Sequence, residues 1–212
     1  MIDKLKGVCY NMVKQYVKVS NTNTKLGGQI YSINLPAGIT CRPDAPCFKG
    51  CYAKKGNWLY PSVKTSLARN LEAYQNNPNL YFESITIQTA LIKYCRWHSS
   101  GDIIDTSYFE GMCKVARKNK DTHYLCFTKK YELINKYLSE GKKIPKNLSV
   151  VFSAWSNWMP ENPYNLPTTY VFGKNFCNEL IPADSIPCAG KCETCQACWT
   201  LKRGQSVYFK KH

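Results

Sequence analysis

What the sequence lacks narrows the field first. Nowhere in its 212 residues is there an apolar run of about 18, so no membrane-spanning helix and no membrane partner are expected. The opening stretch MIDKLKGVCYNMVKQYVKV is charged throughout. It has no apolar core followed by a small-residue cleavage site, so no secretory leader is expected. G-x-x-x-x-G-K-[ST], G-x-S-x-G, H-E-x-x-H and G-x-G-x-x-G are all missing, which leaves the common hydrolase, kinase and Rossmann readings without support. Internal repeats and low-complexity stretches are missing too. Acidic residues are scarce, 14 Asp and Glu against 29 Lys and Arg, for a net charge of +15. Such an excess attracts polyanions at long range. Nucleic acid is therefore a candidate partner, set against the plainer reading of a solvated basic surface.

What is present is a foldable chain with many thiols. Hydrophobic residues make up 44% and aromatics 13%, enough for a real core without disulfides. The length suits one domain, or one domain with a small appendage. Without a leader, the 12 cysteines belong to a reducing cytoplasm, where thiols stay free or bind metal. Five of them, Cys9, Cys95, Cys113, Cys126 and Cys177, are scattered among apolar or strand-like surroundings and read as packing residues. The other seven form two groups: Cys41, Cys47 and Cys51, then Cys188, Cys192, Cys195 and Cys198.

The pattern between the groups is strand–helix alternation. QIYSINLP (29–36) alternates as a strand and stops at Pro36. SVKTSLARNLEAYQ reads as a helix ended by Pro78, and a second helix starts with Asn79 as its cap. Strands at 94–99, 122–127, 148–155 and 168–172 are separated by helices at 105–120, capped by Asp105, and over YELINKYLSEG. A short strand, SVYFK, closes the chain. Alternation of this kind predicts an α/β fold with a parallel sheet. Four or five units are too few for eight-fold closure, so the expected architecture is an incomplete TIM-like barrel over 1–184, followed by a Cys-rich metal-binding tail over 185–212. Strand ends in such sheets line the ligand crevice, which nominates His98, Thr128–Lys130 and Ser153–Ser156. For His98 the plainer reading is a satisfied core histidine.

The two cysteine groups carry the chemistry. Thiolates are soft ligands suited to iron–sulfur clusters and zinc. Cys41, Cys47 and Cys51 follow C-x5-C-x3-C on one loop. Zinc usually takes four ligands in closely paired units, whereas three thiolates on a wide loop can wrap a [4Fe–4S] cluster and leave one iron open. Gly50 is expected to loosen the backbone before the third ligand. The tail runs C-x3-C-x2-C-x2-C, the bacterial ferredoxin spacing reversed. It can close a second cluster, and a four-Cys zinc site competes. Both groups converging on one cluster is the third arrangement.

A cysteine loop after the first strand, with Tyr52 directly following Cys51, resembles the cluster loop of radical S-adenosylmethionine enzymes. C-x5-C-x3-C departs from their usual C-x3-C-x2-C. The nearer resemblance is to a phage-encoded family of unknown function, gene product eighty-eight, through CYA at 51–53, HSSGD at 98–102 and the cysteine tail. The resemblance implies that Ser100, Gly101 and Asp102 form the turn that holds the amino group of S-adenosylmethionine, with His98 beside it; the plainer reading of Asp102 is an ordinary turn or cap residue before the 105–120 helix. It also implies host cytoplasm as the location. Three functions remain open. One is a radical-SAM-like enzyme, served by an electron-donor protein and acting on or near nucleic acid. Another is a non-catalytic iron–sulfur protein of electron transfer or regulation. The third is a zinc-stabilised nucleic-acid-binding module.

Overall fold

The structure is a computed structural model, described here for residues 13, 16–155, 158–173 and 178–210. Cys9, Cys177 and Ser156 lie outside the described residues.

Two prolines start the first two helices. α1 spans Pro61–Asn76 and α2 spans Pro78–Thr89, each with Pro in its first turn. There the missing N–H costs nothing and the fixed φ is already helical. Pro78 was expected only to end α1; it also opens α2, and the cap is Asn77 rather than Asn79. The residue before a proline is pushed out of the helical region. Asn77 accordingly leaves it (φ −153°, ψ 88°), and its side chain accepts from the Leu80 amide at 3.0 Å. α3 spans Thr106–Lys118 and starts as expected, with Asp105 Oδ1 accepting from the Tyr108 amide at 2.7 Å. Arg117 and Lys118 sit in its last turn, where the helix dipole favours cations. α4 spans Tyr131–Ser139.

Eight strands form one sheet: β1 (Val19–Ser20), β2 (Tyr31–Ile33), β3 (Tyr94–Trp97), β4 (His123–Thr128), β5 (Leu148–Ala154), β6 (Thr168–Phe172), β7 (Ile186–Pro187) and β8 (Ser206–Lys210). Their spatial order is β1-β2-β3-β4-β5-β6-β8-β7. β1 is antiparallel to β2, and every other neighbouring pair is parallel. The parallel sheet is thus as expected. The sheet is open, as too few units for eight-fold closure imply, with β1 and β7 at its edges, and a TIM-like barrel is not what it forms. Segment 185–210 is drawn into the same sheet, supplying β7 and β8.

Side chains alternate across the strands, so each strand feeds two faces. One face sends Ile33, Cys95, Trp97, Tyr124, Cys126 and Phe152 into the main core. The helices cover it with Tyr81, Ile85, Tyr108, Phe109, Met112 and Cys113. Cys95, Cys113 and Cys126 are fully buried there, as their apolar surroundings predict.

The other face carries Leu125 and Val151, packed with Leu26, Ile30 and Trp199. The segment joining β7 to β8 crosses this second face. Cys188 leaves β7 with its amide donating to the Tyr208 carbonyl at 2.9 Å. Two short turns follow, α5 (Cys192–Cys195) and α6 (Ala197–Thr200). The segment reaches the middle strands, where Ser149 Oγ on β5 donates to the Cys198 carbonyl at 2.9 Å and Trp199 Nε1 to the Cys95 carbonyl on β3 at 3.1 Å, before returning to β8.

Candidate functional site

The first cysteine loop hangs from the end of β2 and is tied down at several points. Thr40 Oγ1 donates to the Pro36 carbonyl at 3.3 Å and accepts from the Asp102 amide at 3.1 Å. Arg42 is doubly paired with Asp44 (3.0 and 2.6 Å) and with Glu132 at the start of α4 (2.6 and 2.5 Å). Its guanidinium also lies over the Trp158 ring, 5.0 Å from the centroid. The Tyr52 hydroxyl donates to the Ser99 carbonyl. Expected freedom at Gly50 is not what shapes the loop. A Cβ on Gly50 would meet nothing within 4 Å, and the left-handed residues are Gly38 (φ +84°) and Gly56 (φ +54°), which flank the loop. The bends fall where the chain leaves β2 and where it turns towards α1, outside the cysteine span.

The turn after β3 is a knot of satisfied groups. His98 is itself left-handed (φ 59°), a conformation that costs a non-glycine residue energy and is held here by its surroundings. Its amide donates to the Ile33 carbonyl at 2.8 Å. Its Nε2 is 3.1 Å from the Tyr108 hydroxyl, and Cys126 Sγ is 3.8 Å from Nδ1. Burial, helped by Arg96, pulls its pKa down to about 3, so the ring is neutral. These contacts are those of a core histidine at the edge of the cavity.

Asn34 Oδ1 accepts from the amides of Ser99 (2.8 Å) and Ser100 (3.2 Å), and Ser100 Oγ donates to the Leu35 carbonyl at 2.9 Å. At Gly101 (φ +85°) a Cβ would come within 2.8 Å of Leu35 Cβ and 2.9 Å of its carbonyl, so only glycine fits. The Asp102 carboxylate accepts from Ile103 N (2.8 Å), Thr128 Oγ1 (2.7 Å) and Lys129 N (3.0 Å). Burial pushes its pKa up, against the pull of these donors. Asp102 therefore locks the end of β3 to the end of β4.

All these elements border one cavity of about 890 Å³ over the sheet's second face. Cys41, Cys47 and Cys51 line it from the loop, and Cys188, Cys192 and Cys198 from the tail. His98, Ser100, Gly101 and Asp102 reach it from the β3 turn. The nominated strand-end residues Lys129, Ser153 and Trp155 reach it as well. Cys195 is exposed and is not among the lining residues.

The ten described cysteines are all free thiols. Within each group the thiols are electrostatic neighbours. Burial pushes Cys41 up, with Asp102, Cys51 and Cys47 adding to it. Burial likewise raises Cys192, and takes Cys198 to about 12 with Cys188, Cys192 and Cys195 contributing. Among the described residues, no three His, Cys, Asp or Glu side chains are gathered tightly enough to hold a single metal ion. A tetrahedral zinc site would bring its sulfurs within about 3.8 Å of one another, given a Zn–S bond of about 2.3 Å. A four-iron cube binds each thiolate at a different corner and accepts a wider set. In donor chemistry, three thiols on one loop are the ligand type such a cluster takes.

One functional candidate carried no signal strong enough to be singled out in advance, and two that lay within the motifs above, Ser99 and Tyr52, had been given no role of their own. Arg96 sits mid-strand in YCRW and reaches the cavity, with its Nε buried and unpartnered. Ser99 lines the cavity with an unpartnered Oγ, and Tyr52 also borders it. A lone arginine inside an otherwise apolar strand is the one clue the sequence held.

A family model described as gene product 88 matches residues 12–172. The matched span includes the first cysteine loop and the His98–Asp102 turn and ends before the cysteine tail. Neither a curated protein nor a solved structure matches the chain.

Proposed function

The chain belongs to the gene product 88 family, a phage family, and on that premise we propose that it is an iron–sulfur protein of radical-SAM-like type. Cys41, Cys47 and Cys51 would hold a [4Fe–4S] cluster, and Cys188, Cys192, Cys195 and Cys198 a second metal site. One observation carries the reading: Cys41, Cys47 and Cys51 line the same cavity as Cys188, Cys192 and Cys198, although the two groups are remote in sequence, and the cavity reaches the carboxyl ends of the parallel strands at His98–Asp102 and Lys129. A cluster with one iron open supplies one-electron chemistry to a small molecule bound there. The chain's own residues do the rest. The Arg42 ion pairs fix the loop to α4. Tyr52 and Thr40 fix it to the β3 turn, and the tail roofs the second face and limits water entry.

A second reading, electron transfer or regulation without catalysis, draws on the β3 turn. The Asp102 carboxylate and the Ser100 hydroxyl are already occupied by the protein's own groups, leaving little to grip an incoming ammonium. The surplus of positive charge supports a polyanionic partner such as nucleic acid for either reading. An electron-donor protein would serve the enzyme reading. No helix among the described residues is long and apolar enough to cross a membrane.

The test is anaerobic purification with iron, sulfide and zinc analysis, followed by electron paramagnetic resonance of the reduced protein with and without S-adenosylmethionine. Iron with sulfide, and a spectrum that changes on addition with release of methionine or 5′-deoxyadenosine, is the expected result. An unchanged spectrum without cleavage leaves the non-catalytic reading. Zinc without iron removes both.

A further inference from the structure

Among the described residues, Arg96 forms no ion pair. It stands in the middle of β3, in register with Ser32 of β2 on one side and Leu125 of β4 on the other, so its side chain rises from the sheet interior into the cavity. The guanidinium lies over the Phe127 ring, 4.8 Å from its centroid, which fixes its plane. Its Nε is buried without a hydrogen-bond partner. The ion pairs among the described residues are made by Arg42 and Lys142, and none by Arg96. Desolvating a cation without a partner is costly, so a protein that keeps one normally presents it to something negative. A second orphan opens on the same space. Ser99 is 2% exposed, and its Oγ is buried with no partner although its amide is held by Asn34. Beside Arg96 the wall is Leu125 and Phe127, with the thiols of Cys192 and Cys198 as electrostatic neighbours, and Val171 and Val207 continue the apolar lining farther along the same face.

The geometry points to a binding site for a small anion with an apolar body. Its carboxylate or phosphate end lies on the Arg96 fork, its polar edge on the Ser99 hydroxyl, and its body on the second face of the sheet. The planar guanidinium suits either oxyanion because two parallel N–H groups match two oxygens. This names the ligand class of the cavity and goes beyond the metal chemistry proposed above, since it stands on Arg96 and Ser99 rather than on the thiols.

The experiment is isothermal titration calorimetry on the anaerobically purified protein with phenyl phosphate, benzoate and uncharged benzyl alcohol. Iron and sulfide are assayed on the same samples. At least one of the two anions is expected to bind well ahead of benzyl alcohol. The tighter of the two identifies phosphate or carboxylate as the natural end group. Arg96→Gln should lower anion affinity about tenfold or more, Arg96→Lys by less, and Ser99→Ala by a few-fold. Should Arg96→Gln fail to give a folded circular dichroism spectrum, Ser99→Ala and the charged-against-neutral comparison on the parent decide. Benzyl alcohol binding as well as the anions overturns the site. So does an Arg96→Gln protein that binds them like the parent, whatever its iron content, or the absence of anion binding at millimolar concentration. A protein that binds anions through Arg96 yet carries no iron keeps this inference and removes the iron–sulfur reading.

Discussion

The two cysteine groups, Cys195 apart, line one cavity but are held in opposite ways. The first rides on a loop fixed by polar side chains: Arg42 to Asp44 and Glu132, Thr40 to Asp102, Tyr52 to Ser99. The second is carried by a crossover held through packing, with Trp199 buried against Leu125 and Val151. Its polar ties go to backbone, from Ser149 and Trp199 to carbonyls and from the Gln29 amide to Glu193 at 3.1 Å. A polar-tied loop can shift without emptying a core. A packed crossover cannot move without exposing the sheet's second face.

The largest expected difference follows from metal. Replacing Cys188, Cys192, Cys195 or Cys198 with Ser should lower metal content and melt the crossover, read as lost amide-exchange protection over 186–200, because metal binding there is coupled to folding. Replacing Cys41, Cys47 or Cys51 should remove metal with little change in thermal midpoint. Equal destabilisation by both sets would break the contrast.

Trp199→Ala comes next. It should cost about 3–5 kcal/mol in denaturant unfolding, as a buried large-to-small change does. The same change at Trp58, beside the first loop, should cost well under half of that.

Acid should act on a similar scale. His98 has its pKa lowered by burial, to about 3, so the unfolded chain binds the extra proton first. Its contribution is complete above the unfolded value near 6.5 and is lost as pH falls from there towards 3, roughly 3–5 kcal/mol in all. Asp102 is raised by burial and acts in the opposite sense, its contribution fading as pH rises through its folded value. A His98→Gln variant isolates the first term and should flatten the loss between pH 6.5 and 4. Limited proteolysis over that range should cut 38–56 before 188–200.

The smallest effect belongs to Arg42→Ala. Its partners Asp44 and Glu132 are largely exposed, so about 1 kcal/mol or less is expected. The readout is faster cleavage within 41–51 at unchanged overall stability.

Much of this was legible beforehand, for physical reasons. The parallel core announces itself because LSVVFSAW is apolar on both faces and helices of ordinary length separate the strands. Asp105 could be read as a cap because its side chain acts on an amide three residues away. β1 and β7 could not be read: two residues cannot show an alternation. The open edge was legible from the count of units, too few to close, whereas the placing of β8 between β6 and β7 was not. The seven clustered cysteines identified themselves by spacing. That the tail would lie across the same cavity as the loop could not be read, because contacts such as Trp199 to Cys95 span a hundred residues and leave no local mark. Arg96 was passed over because a single basic residue in a strand reads locally as surface.

The order of the sheet bears on how the chain is made. β8 follows β7 in sequence yet lies between it and β6. Until residues 206–210 leave the ribosome, β6 is a naked border with its ladder of amides and carbonyls unpaired, and β7 has no neighbour. A chain halted after Cys198 would carry every clustered thiol and still present Thr168–Phe172 to the strand of another molecule, the situation in which nascent sheets aggregate.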